Sequence, residues 1–338
     1  MPRAVLFVTD PRILVAGCGA IGSVFGCLLR AAGRRVALLG RRRHLDAIRS
    51  MGLRMDGLWG ERRADGFELA ESVEELSGRY DLAIVSVKSY DTAAIAAALR
   101  PLVDDKGVVL SAQNGLGNLQ TLADVFGADR TLGASILVGA ELPEPGRVTV
   151  TVQAAPIVIG PLEVSDCVAM ERVHRWISLL RAADVPCEPT ARILGYVWGK
   201  VLYNAPLNAL GALLEVPYGA LAENPELRTI MDGVIDEIFA VARARGVELL
   251  WTSADEYRSW FYGHLVPSTY HHHGSMLQDF RQRRRTEIDA INGAVWRYGR
   301  ETGVPTPYNE ALTRLVRERE KRFTQARPAG SAPPQEHA

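Results

Sequence analysis

The stretch Ile13-Leu14-Val15-Ala16-Gly17-Cys18-Gly19-Ala20-Ile21-Gly22 runs from a short apolar segment into a Gly-x-Gly-x-x-Gly pattern, and an apolar helical pattern continues to Leu29. A strand that passes through such glycines into a helix is typical of a dinucleotide-binding βα unit. The first glycine permits a tight turn, the second lets a pyrophosphate approach the backbone, and the third allows close helix–strand packing. The helix N-terminus then offers N–H groups to the phosphates. The alternative is a purely structural glycine turn. The residues predicted to bind a dinucleotide here are Gly17, Cys18, Gly19, Ala20, Ile21 and Gly22.

The segment after the next predicted strand, Arg35 to Leu39, indicates which dinucleotide is bound. Sites that prefer NAD usually carry an acidic residue there, which accepts hydrogen bonds from the ribose 2′-hydroxyl. This chain has Gly40-Arg41-Arg42-Arg43-His44 instead. Guanidinium groups pair well with a 2′-phosphate, so the sequence predicts NADP(H). The alternative is an ordinary solvated basic turn.

The bulk composition narrows the class of protein. The chain has 338 residues, enough for two domains, and its 39 Lys and Arg balance its 39 Asp and Glu. This balance gives no reason to expect nucleic acid or an anionic membrane as a partner. The N-terminal apolar run, Ala4 to Val8, is too short for a signal peptide, and no stretch is long and apolar enough to span a membrane.

The cysteines and histidines give no sign of a disulfide framework or a metal site. Four cysteines form no C-x-x-C pair, and the histidine run 271–273 has no spaced histidine or cysteine to support it. We therefore expect a reduced, cytoplasmic chain without a bound metal.

Alternation of strands and helices between Arg12 and about Pro189 predicts an α/β fold with a doubly wound, mostly parallel Rossmann sheet. The apolar runs 148–152 and 157–160 are expected to pair antiparallel at the edge of that sheet. After Thr190, amphipathic helical patterns replace the strands, at 191–212, 226–245, 275–284, 287–302 and 308–323. The predicted domains are residues 1–189, a Rossmann domain, residues 190–326, an all-α domain, and a disordered tail over 327–338.

Candidate site residues follow from these elements. Lys88 and Asn114 come just after two predicted strands, where open α/β sheets bind ligands, although a loop lysine and an Asn-Gly turn explain them equally well. Lys200, Asn204 and Asn208 recur every four residues and so share one face of a helix whose neighbours are apolar. Burial there would lower the pKa of the lysine toward the range of a general acid. The alternative is a snorkelling lysine beside two packing asparagines.

Ser275 and Glu287, both in the helical half, are further candidates for which a structural role must be weighed against a functional one. Ser275-Met276-Leu277-Gln278 matches a capping box with Ser275 as the N-cap, and an exposed cap of this kind also suits a substrate carboxylate. Glu287 lies among arginines, which favours a surface salt bridge of little energetic value.

Together these motifs resemble the ketopantoate reductases (2-dehydropantoate 2-reductases) of pantothenate biosynthesis over about residues 12–323. The resemblance is carried by the glycine motif, Val87-Lys88, Gln113-Asn114-Gly115 and the lysine helix from Trp198 to Asn204 with Asn208. It is also carried by Ser275-Met276-Leu277-Gln278-Asp279 and by Thr286-Glu287-Ile288-Asp289 with the residues that follow to Gly293. It implies a C-terminal domain of the 6-phosphogluconate dehydrogenase type.

The resemblance also implies roles for individual residues. Lys200 is then the general acid, and Glu287 becomes a catalytic carboxylate at the nicotinamide end rather than a surface residue. Substrate contacts are implied for Asn114, Lys200, Asn204, Asn208 and Ser275. Cofactor contacts are implied for Arg41, Lys88, Asn114, Gly139 and Glu287. Two positions depart from the family pattern, since His272 and Tyr218 stand where relatives have asparagine.

Three functions are consistent with this evidence. The first is NADPH-dependent reduction of 2-dehydropantoate to (R)-pantoate. The second is reduction of a different 2-oxo acid, with the histidine-rich segment reshaping the pocket. The third is a non-catalytic NADPH sensor, which the complete set of Lys200, Asn204 and Glu287 argues against. A small 2-oxo acid is the expected partner, and the helical half has enough apolar residues for a homodimer.

Overall fold

The structure is a computed structural model that describes residues 10–163 and 167–325. The chain divides into two compact units, one up to Val197 and the other from Trp198. The predicted tail over 327–338 lies outside the described residues, as do the first nine residues.

The strands of the described chain all belong to the first unit. They are β1 (Arg12–Ala16), β2 (Arg35–Leu39), β3 (Leu53–Gly57), β4 (Arg62–Ala64), β5 (Glu68–Ala70), β6 (Tyr80–Val85), β7 (Val103–Ser111), β8 (Thr131–Ser135), β9 (Val138–Glu144), β10 (Arg147–Gln153), β11 (Ile157–Pro161) and β12 (Cys187–Pro189).

The helices lie between the strands of the first unit and make up the second. They are α1 (Ala20–Ala31), α2 (Arg42–Met51), α3 (Thr92–Leu99), α4 (Asn118–Phe126), α5 (Cys167–Arg181), α6 (Ile193–Leu214), α7 (Tyr218–Glu223), α8 (Pro225–Ala244), α9 (Ala254–Trp260), α10 (Val266–Ser268), α11 (Ser275–Arg281), α12 (Asn292–Thr302) and α13 (Pro307–Gln325). A π-helical turn, Phe261–Leu265, joins α9 to α10.

The main sheet is the doubly wound sheet that the sequence predicts. Its eight strands follow the order β12-β11-β8-β7-β6-β1-β2-β5, and every adjacent pair is parallel except β11 with β8. Alternate residues of β1 enter two separate cores, Ile13 and Val15 on one face and Leu14 and Ala16 on the other. Both faces of the central strand are therefore covered, as a parallel sheet requires.

A second sheet corrects one expectation. Strands β10 and β11 contain the runs 148–152 and 157–160, but they do not pair with each other. Strand β10 lies in a four-stranded sheet of order β4-β3-β10-β9, whereas β11 joins the main sheet beside β8. The prediction of an antiparallel pair was wrong because β10 instead pairs in parallel with β3, about 90 residues earlier in the chain.

The second unit consists of helices packed around α8, whose residues Met231, Val234, Ile235 and Ile238 are completely buried. The helical runs predicted from the sequence correspond to α6, α8, α11, α12 and α13. One of them is corrected at its start, because residues 288–290 form a 3-10 turn and α12 begins only at Asn292.

The unit division at Val197 lies eight residues beyond the predicted domain boundary at 189. The first turn of α6 packs within the first unit: the Ile193 side chain lies against Gly133 and Gly160, and Ser135 Oγ donates a hydrogen bond to the Tyr196 carbonyl. The domain bounds that the sequence indicates remain a prediction.

Candidate active site

Apart from Glu287, which belongs to the second unit, the positions predicted to bind the cofactor follow strands of the main sheet. Each follows the carboxyl end of one of five neighbouring parallel strands. In the order β2, β1, β6, β7, β8, these positions are Arg41, the glycine loop 17–22, Lys88, Asn114 and Gly139, of which Gly139 already lies in β9 of the second sheet. Ligands of open α/β sheets bind along the edge formed by these carboxyl ends. The topology therefore brings together residues that are up to 122 positions apart in the sequence.

The glycine loop has the shape that a dinucleotide requires. Gly17 has a φ of +104°, and a Cβ atom built on it would lie 2.6 Å from the Val87 nitrogen. A Cβ on Gly22 would lie 2.2 Å from the Gly17 carbonyl oxygen, so the helix packs on the turn without room for a side chain. No described atom lies within 4 Å of a Cβ on Gly19, which leaves the backbone open there. The first-turn N–H groups of α1 have no intrahelical acceptor, so this cradle fits a pyrophosphate.

The three arginines after β2 differ in their surroundings. Arg41 is exposed at the N-cap of α2. The Arg42 guanidinium lies 3.7 Å from the carboxylates of both Asp46 and Glu71. Within the described residues no carboxylate forms an ion pair with Arg41, so its charge is the more available of the two.

A buried relay behind the glycine loop was missed by the sequence analysis. The Gly146 N–H donates to His44 Nδ1 at 3.0 Å, so the neutral imidazole carries its proton on Nε2 and donates it to Ser23 Oγ, also at 3.0 Å. Ser23 Oγ in turn lies 3.4 Å from Cys18 Sγ. Burial lowers the pKa of His44 and raises that of the Cys18 thiol to about 11. The relay thus joins the β9–β10 turn, α2 and the glycine loop through uncharged groups.

The loops after β6 and β7 are held together by a second network, which is partly buried. Gln113 Nε2 donates to the Val87 carbonyl at 3.0 Å and to Thr92 Oγ1 at 2.7 Å. Thr92 Oγ1 donates to Asn118 Oδ1, and Asn118 Nδ2 donates to the Asn114 carbonyl at 2.8 Å. This network fixes the backbone on either side of the Lys88 and Asn114 positions.

In the second unit, α6 carries the predicted polar face. Lys200 is half-buried, while Asn204 and Asn208 are buried, and the neighbouring Val201 and Leu202 are completely buried. Three polar side chains, each separated by about one helical turn, thus line a helix that is otherwise packed on apolar residues.

Lys200 and Glu287 interact electrostatically. The prediction that Glu287 forms a surface salt bridge is therefore wrong. Its side chain is 7% exposed, so it is not a surface salt-bridge residue. Burial lowers the pKa of Lys200 to about 8, and the Glu287 carboxylate opposes that shift. An ammonium group with a pKa near 8 is protonated at neutral pH and is a competent proton donor.

The predicted capping box at Ser275 was wrong. Gly274 is the N-cap of α11, and Ser275 is exposed at the first helical position. A Cβ atom built on Gly274 would lie 1.9 Å from Asn208 Oδ1 and 2.4 Å from the Tyr218 hydroxyl, so this turn packs directly on α6 and α7. Ser275 therefore directly follows Gly274, the residue that contacts Asn208.

A buried chain of polar residues also holds α6 between Asn204 and Asn208. Asn292 Nδ2 donates to the Ala205 carbonyl at 3.1 Å and to Asn309 Oδ1 at 3.0 Å. Asn309 Nδ2 donates to Glu237 at 2.7 Å. The helical pattern around Asn292 gave no sign of this role, because its acceptor is 87 residues away.

Comparison with known proteins identifies the family. A family model described as "Ketopantoate reductase PanE/ApbA" matches residues 13–163, and the corresponding C-terminal model matches residues 192–320. The chain belongs to the ketopantoate reductase family. It is 37% identical to the 2-dehydropantoate 2-reductase of Aquifex aeolicus over 313 residues, which cover 91% of this chain and 97% of that protein.

Solved structures of similar proteins agree with this assignment. A PanE/ApbA family ketopantoate reductase from Ralstonia eutropha JMP134 superposes with a TM-score of 0.82 at 31% identity, covering 93% of this chain and 99% of that one. A D-mandelate dehydrogenase, solved with NADH and anilino(oxo)acetate, superposes with a TM-score of 0.83 at 25% identity and the same coverage. As a ketopantoate reductase family member, the chain is an oxidoreductase that uses a nicotinamide cofactor.

The described residues contain neither a membrane-spanning helix nor a metal-binding cluster. No helix in the described ranges has both the length and the apolar character needed to cross a membrane. Residues 10–163 and 167–325 also contain no group of three or more His, Cys, Asp or Glu side chains arranged to hold a metal ion.

Proposed function

We propose that this chain reduces 2-dehydropantoate to (R)-pantoate with NADPH, and that Lys200 is the general acid. The observation that carries the proposal is the half-buried Lys200, whose pKa of about 8 reflects burial opposed by the charge of Glu287. The sequence identity to 2-dehydropantoate 2-reductases supports the choice of substrate.

Reduction of a ketone at C2 requires a hydride at carbon and a proton at oxygen. The reduced nicotinamide supplies the hydride when the cofactor is bound. As negative charge develops on the C2 oxygen, the Lys200 ammonium stabilises it and transfers a proton from Nζ, which leaves a neutral amine and a hydroxyl product. Glu287 favours the charged form of Lys200 between turnovers, because its carboxylate stabilises the ammonium.

The other site residues supply binding and orientation in this proposal. Asn204, Asn208 and Ser275 hold the oxygens of the 2-oxo acid, and Asn114 contacts both substrate and cofactor. Residues 17–22 hold the pyrophosphate, while Lys88 and Gly139 line the remaining cofactor edge. Arg41 pairs with the 2′-phosphate, which is our reason for proposing NADPH over NADH. The homodimer and the cytoplasmic location expected from the sequence stay predictions.

A second candidate is an aromatic 2-oxo acid as the preferred substrate. The ring of His272 lies edge-on to the ring of Tyr218, with centroids 5.2 Å apart, and Tyr218 contacts Asn208. Tyr218 is itself buried, whereas His272 is only half-buried, so in this candidate the His272 ring packs against the aromatic side chain of the substrate. The similarity to a D-mandelate dehydrogenase crystallised with anilino(oxo)acetate favours the same candidate.

NADPH oxidation measured across a panel of 2-oxo acids tests both candidates. The panel contains 2-dehydropantoate, a short branched acid and an aromatic acid, each assayed with NADPH and NADH. We expect the highest kcat/KM with 2-dehydropantoate and NADPH. A higher value with the aromatic acid selects the second candidate, and no oxidation with any acid rejects both.

Replacement of the lysine tests the assignment of the acid. Lys200→Ala is expected to lower kcat by roughly 10²–10⁴, the usual contribution of a positioned acid, and to leave NADPH affinity nearly unchanged. Lys106→Ala, which removes an exposed lysine of β7, serves as the matched control. A folded Lys200→Ala variant with near-normal kcat shows that another group donates the proton.

A further inference from the structure

Tyr218 contacts the predicted substrate-binding face of α6 through a single polar bond. Its hydroxyl donates to Asn208 Oδ1 at 2.7 Å. The Tyr218 side chain is 1% exposed and that of Asn208 is 3% exposed. Because Tyr218 is enclosed by protein, it acts on a ligand through Asn208 rather than by direct contact.

The position of the Tyr218 hydroxyl is fixed from several directions. At the start of α7 its N–H donates to the His272 carbonyl at 3.1 Å, and the next N–H, of Gly219, donates to the Tyr270 carbonyl at 2.9 Å. The rings of Tyr203 and His272 pack edge-on against the Tyr218 ring, at centroid distances of 5.9 and 5.2 Å. Burial raises the pKa of Tyr218 well above its ordinary value, so the hydroxyl keeps its proton and remains a donor.

The bond determines which end of the Asn208 amide is available. An asparagine side chain has one carbonyl oxygen, which accepts, and one NH2 group, which donates two hydrogen bonds. A rotation of the amide by about 180° would turn NH2 toward the Tyr218 hydroxyl, which can accept a hydrogen bond. The phenolic proton would then have no acceptor, because the bond to Asn208 Oδ1 is the only one that this hydroxyl makes among the described residues. The NH2 group is thus the end left for a ligand.

We propose that Tyr218 is a positioning residue that locks the Asn208 amide with its NH2 group toward the substrate, and so selects for an acceptor oxygen such as that of a carboxylate. This inference rests on the proposed function, since it assigns Asn208 to the site of a 2-oxo acid. It also gives a role to one of the two positions at which the chain departs from the family pattern.

A double-mutant cycle between Tyr218 and Asn208 tests the proposal. The variants are Tyr218→Phe, Asn208→Ala and the double variant, and the measurements are KM and kcat for the preferred 2-oxo acid and KM for NADPH. The dissociation constant of the acid in the presence of NADP⁺ is measured by calorimetry, so that binding is followed even without turnover. Tyr203→Phe is the matched control, because it removes the hydroxyl of the neighbouring ring, which bonds Thr269 Oγ1 at 3.0 Å instead.

We expect Tyr218→Phe to raise KM and the dissociation constant of the acid about three- to tenfold, the effect of one neutral hydrogen bond. KM for NADPH should stay constant, Tyr203→Phe should resemble the wild type, and Tyr218→Phe should have no further effect once Asn208 is replaced by alanine.

Three results would overturn the proposal. One is an unchanged KM and dissociation constant in Tyr218→Phe, and another is an equal loss whether Asn208 is intact or already replaced by alanine. The third is an equal loss in Tyr203→Phe, which would indicate a general packing effect. If the wild type binds 2-oxo acids without reducing them, the proposed function fails while the binding cycle still decides this inference. A wild type that binds none contradicts both.

Discussion

Single side chains in this protein take their chemistry from burial more than from their neighbours in sequence. Lys200 lies on a helix face with two asparagines, and desolvation brings its pKa down to about 8. Glu287 is flanked by charged residues in the chain, yet its own side chain is buried and acts on Lys200. Two opposing effects set the pKa of Lys200. Burial lowers it, and the negative charge of Glu287 raises it.

This balance predicts how activity depends on pH. Because the proposed mechanism requires the acid form of Lys200, we expect kcat/KM to be constant at neutral pH and to fall about tenfold per unit above pH 8. In Glu287→Gln the carboxylate no longer stabilises the ammonium, so the pKa of Lys200 falls and the alkaline limb moves to lower pH. The measurement is a kcat/KM profile of both proteins. Glu318→Gln, on the surface of α13, is the control, and an alkaline limb that does not move in Glu287→Gln would separate Glu287 from Lys200.

The sequence reveals residue positions better than residue partners. The spacing of Lys200, Asn204 and Asn208 was enough to predict a shared helix face, because that depends only on helical geometry. The bond between Tyr218 and Asn208 depends on a turn between α6 and α7, and the burial of Glu287 depends on packing across the unit. Neither is encoded in a local pattern. Ser275 was wrongly expected to cap α11 because Gly274, which packs against Asn208 and Tyr218, is the N-cap instead.

Individual elements depend on contacts made far from them in the chain. The helix α2 begins within the arginine run, and its residue His44 is fixed by Ser23 of α1 and by the Gly146 N–H of the β9–β10 turn. A backbone N–H can only donate, so a second proton on His44 would face a donor. The relay therefore requires the neutral imidazole.

We expect the stability that His44 contributes to depend on pH. Burial lowers its folded pKa below the ordinary value of 6.5, so the unfolded chain binds more protons there and stability rises with pH. The contribution is fully present above about pH 6.5 and is lost as the pH falls through the folded pKa. The free energy of unfolding of the wild type should exceed that of His44→Gln by about 1–3 kcal/mol at about pH 7.5, and by less at about pH 5.5. Denaturant titrations at the two pH values measure the gap, and a gap that does not change with pH would contradict a neutral buried imidazole.

The prediction of elements succeeded where periodicity is strong. The β1–α1–β2 unit and helices α8 and α13 were evident because their apolar residues repeat at strand or helix spacing. The helix α6 is apolar on nearly all of its surface and was evident from the four-residue spacing of its polar side chains. The second sheet was missed because β4 is a three-residue strand, Arg62–Ala64, and because the pairing of β3 with β10 spans most of the first unit. The tertiary fold decides which strands pair. The local sequence of a short polar strand does not indicate its partner.

On the scale of the whole molecule, the predicted functions divide between two compact units with different architectures. Apart from Glu287, the positions predicted to hold the dinucleotide follow strands of the first unit, whereas Lys200, Asn204, Asn208, Ser275 and Glu287 belong to the second. Cofactor recognition and proton donation can therefore be altered separately by mutation. Ligand-linked unfolding measures the first of them directly, because a ligand that binds only the folded state stabilises it by an amount set by its concentration and dissociation constant.

This linkage makes cofactor choice measurable without turnover. At a concentration about 100 times its dissociation constant, NADPH should stabilise the wild type by about 2.7 kcal/mol. Arg41→Ala removes a charge-assisted partner of the 2′-phosphate and should weaken NADPH binding by roughly tenfold to a hundredfold. About half of that stabilisation is then lost at the lower end of the range and most of it at the upper end. Arg42→Ala should lose less of the NADPH stabilisation, since Asp46 and Glu71 already lie beside Arg42.

Thermal unfolding of the wild type, Arg41→Ala and Arg42→Ala with NADPH and with NADH provides the measurement. NADH carries no 2′-phosphate, so its stabilisation should be the same in the wild type and Arg41→Ala. An equal loss with both nucleotides would mean that Arg41 supports the fold of the loop and does not recognise the phosphate.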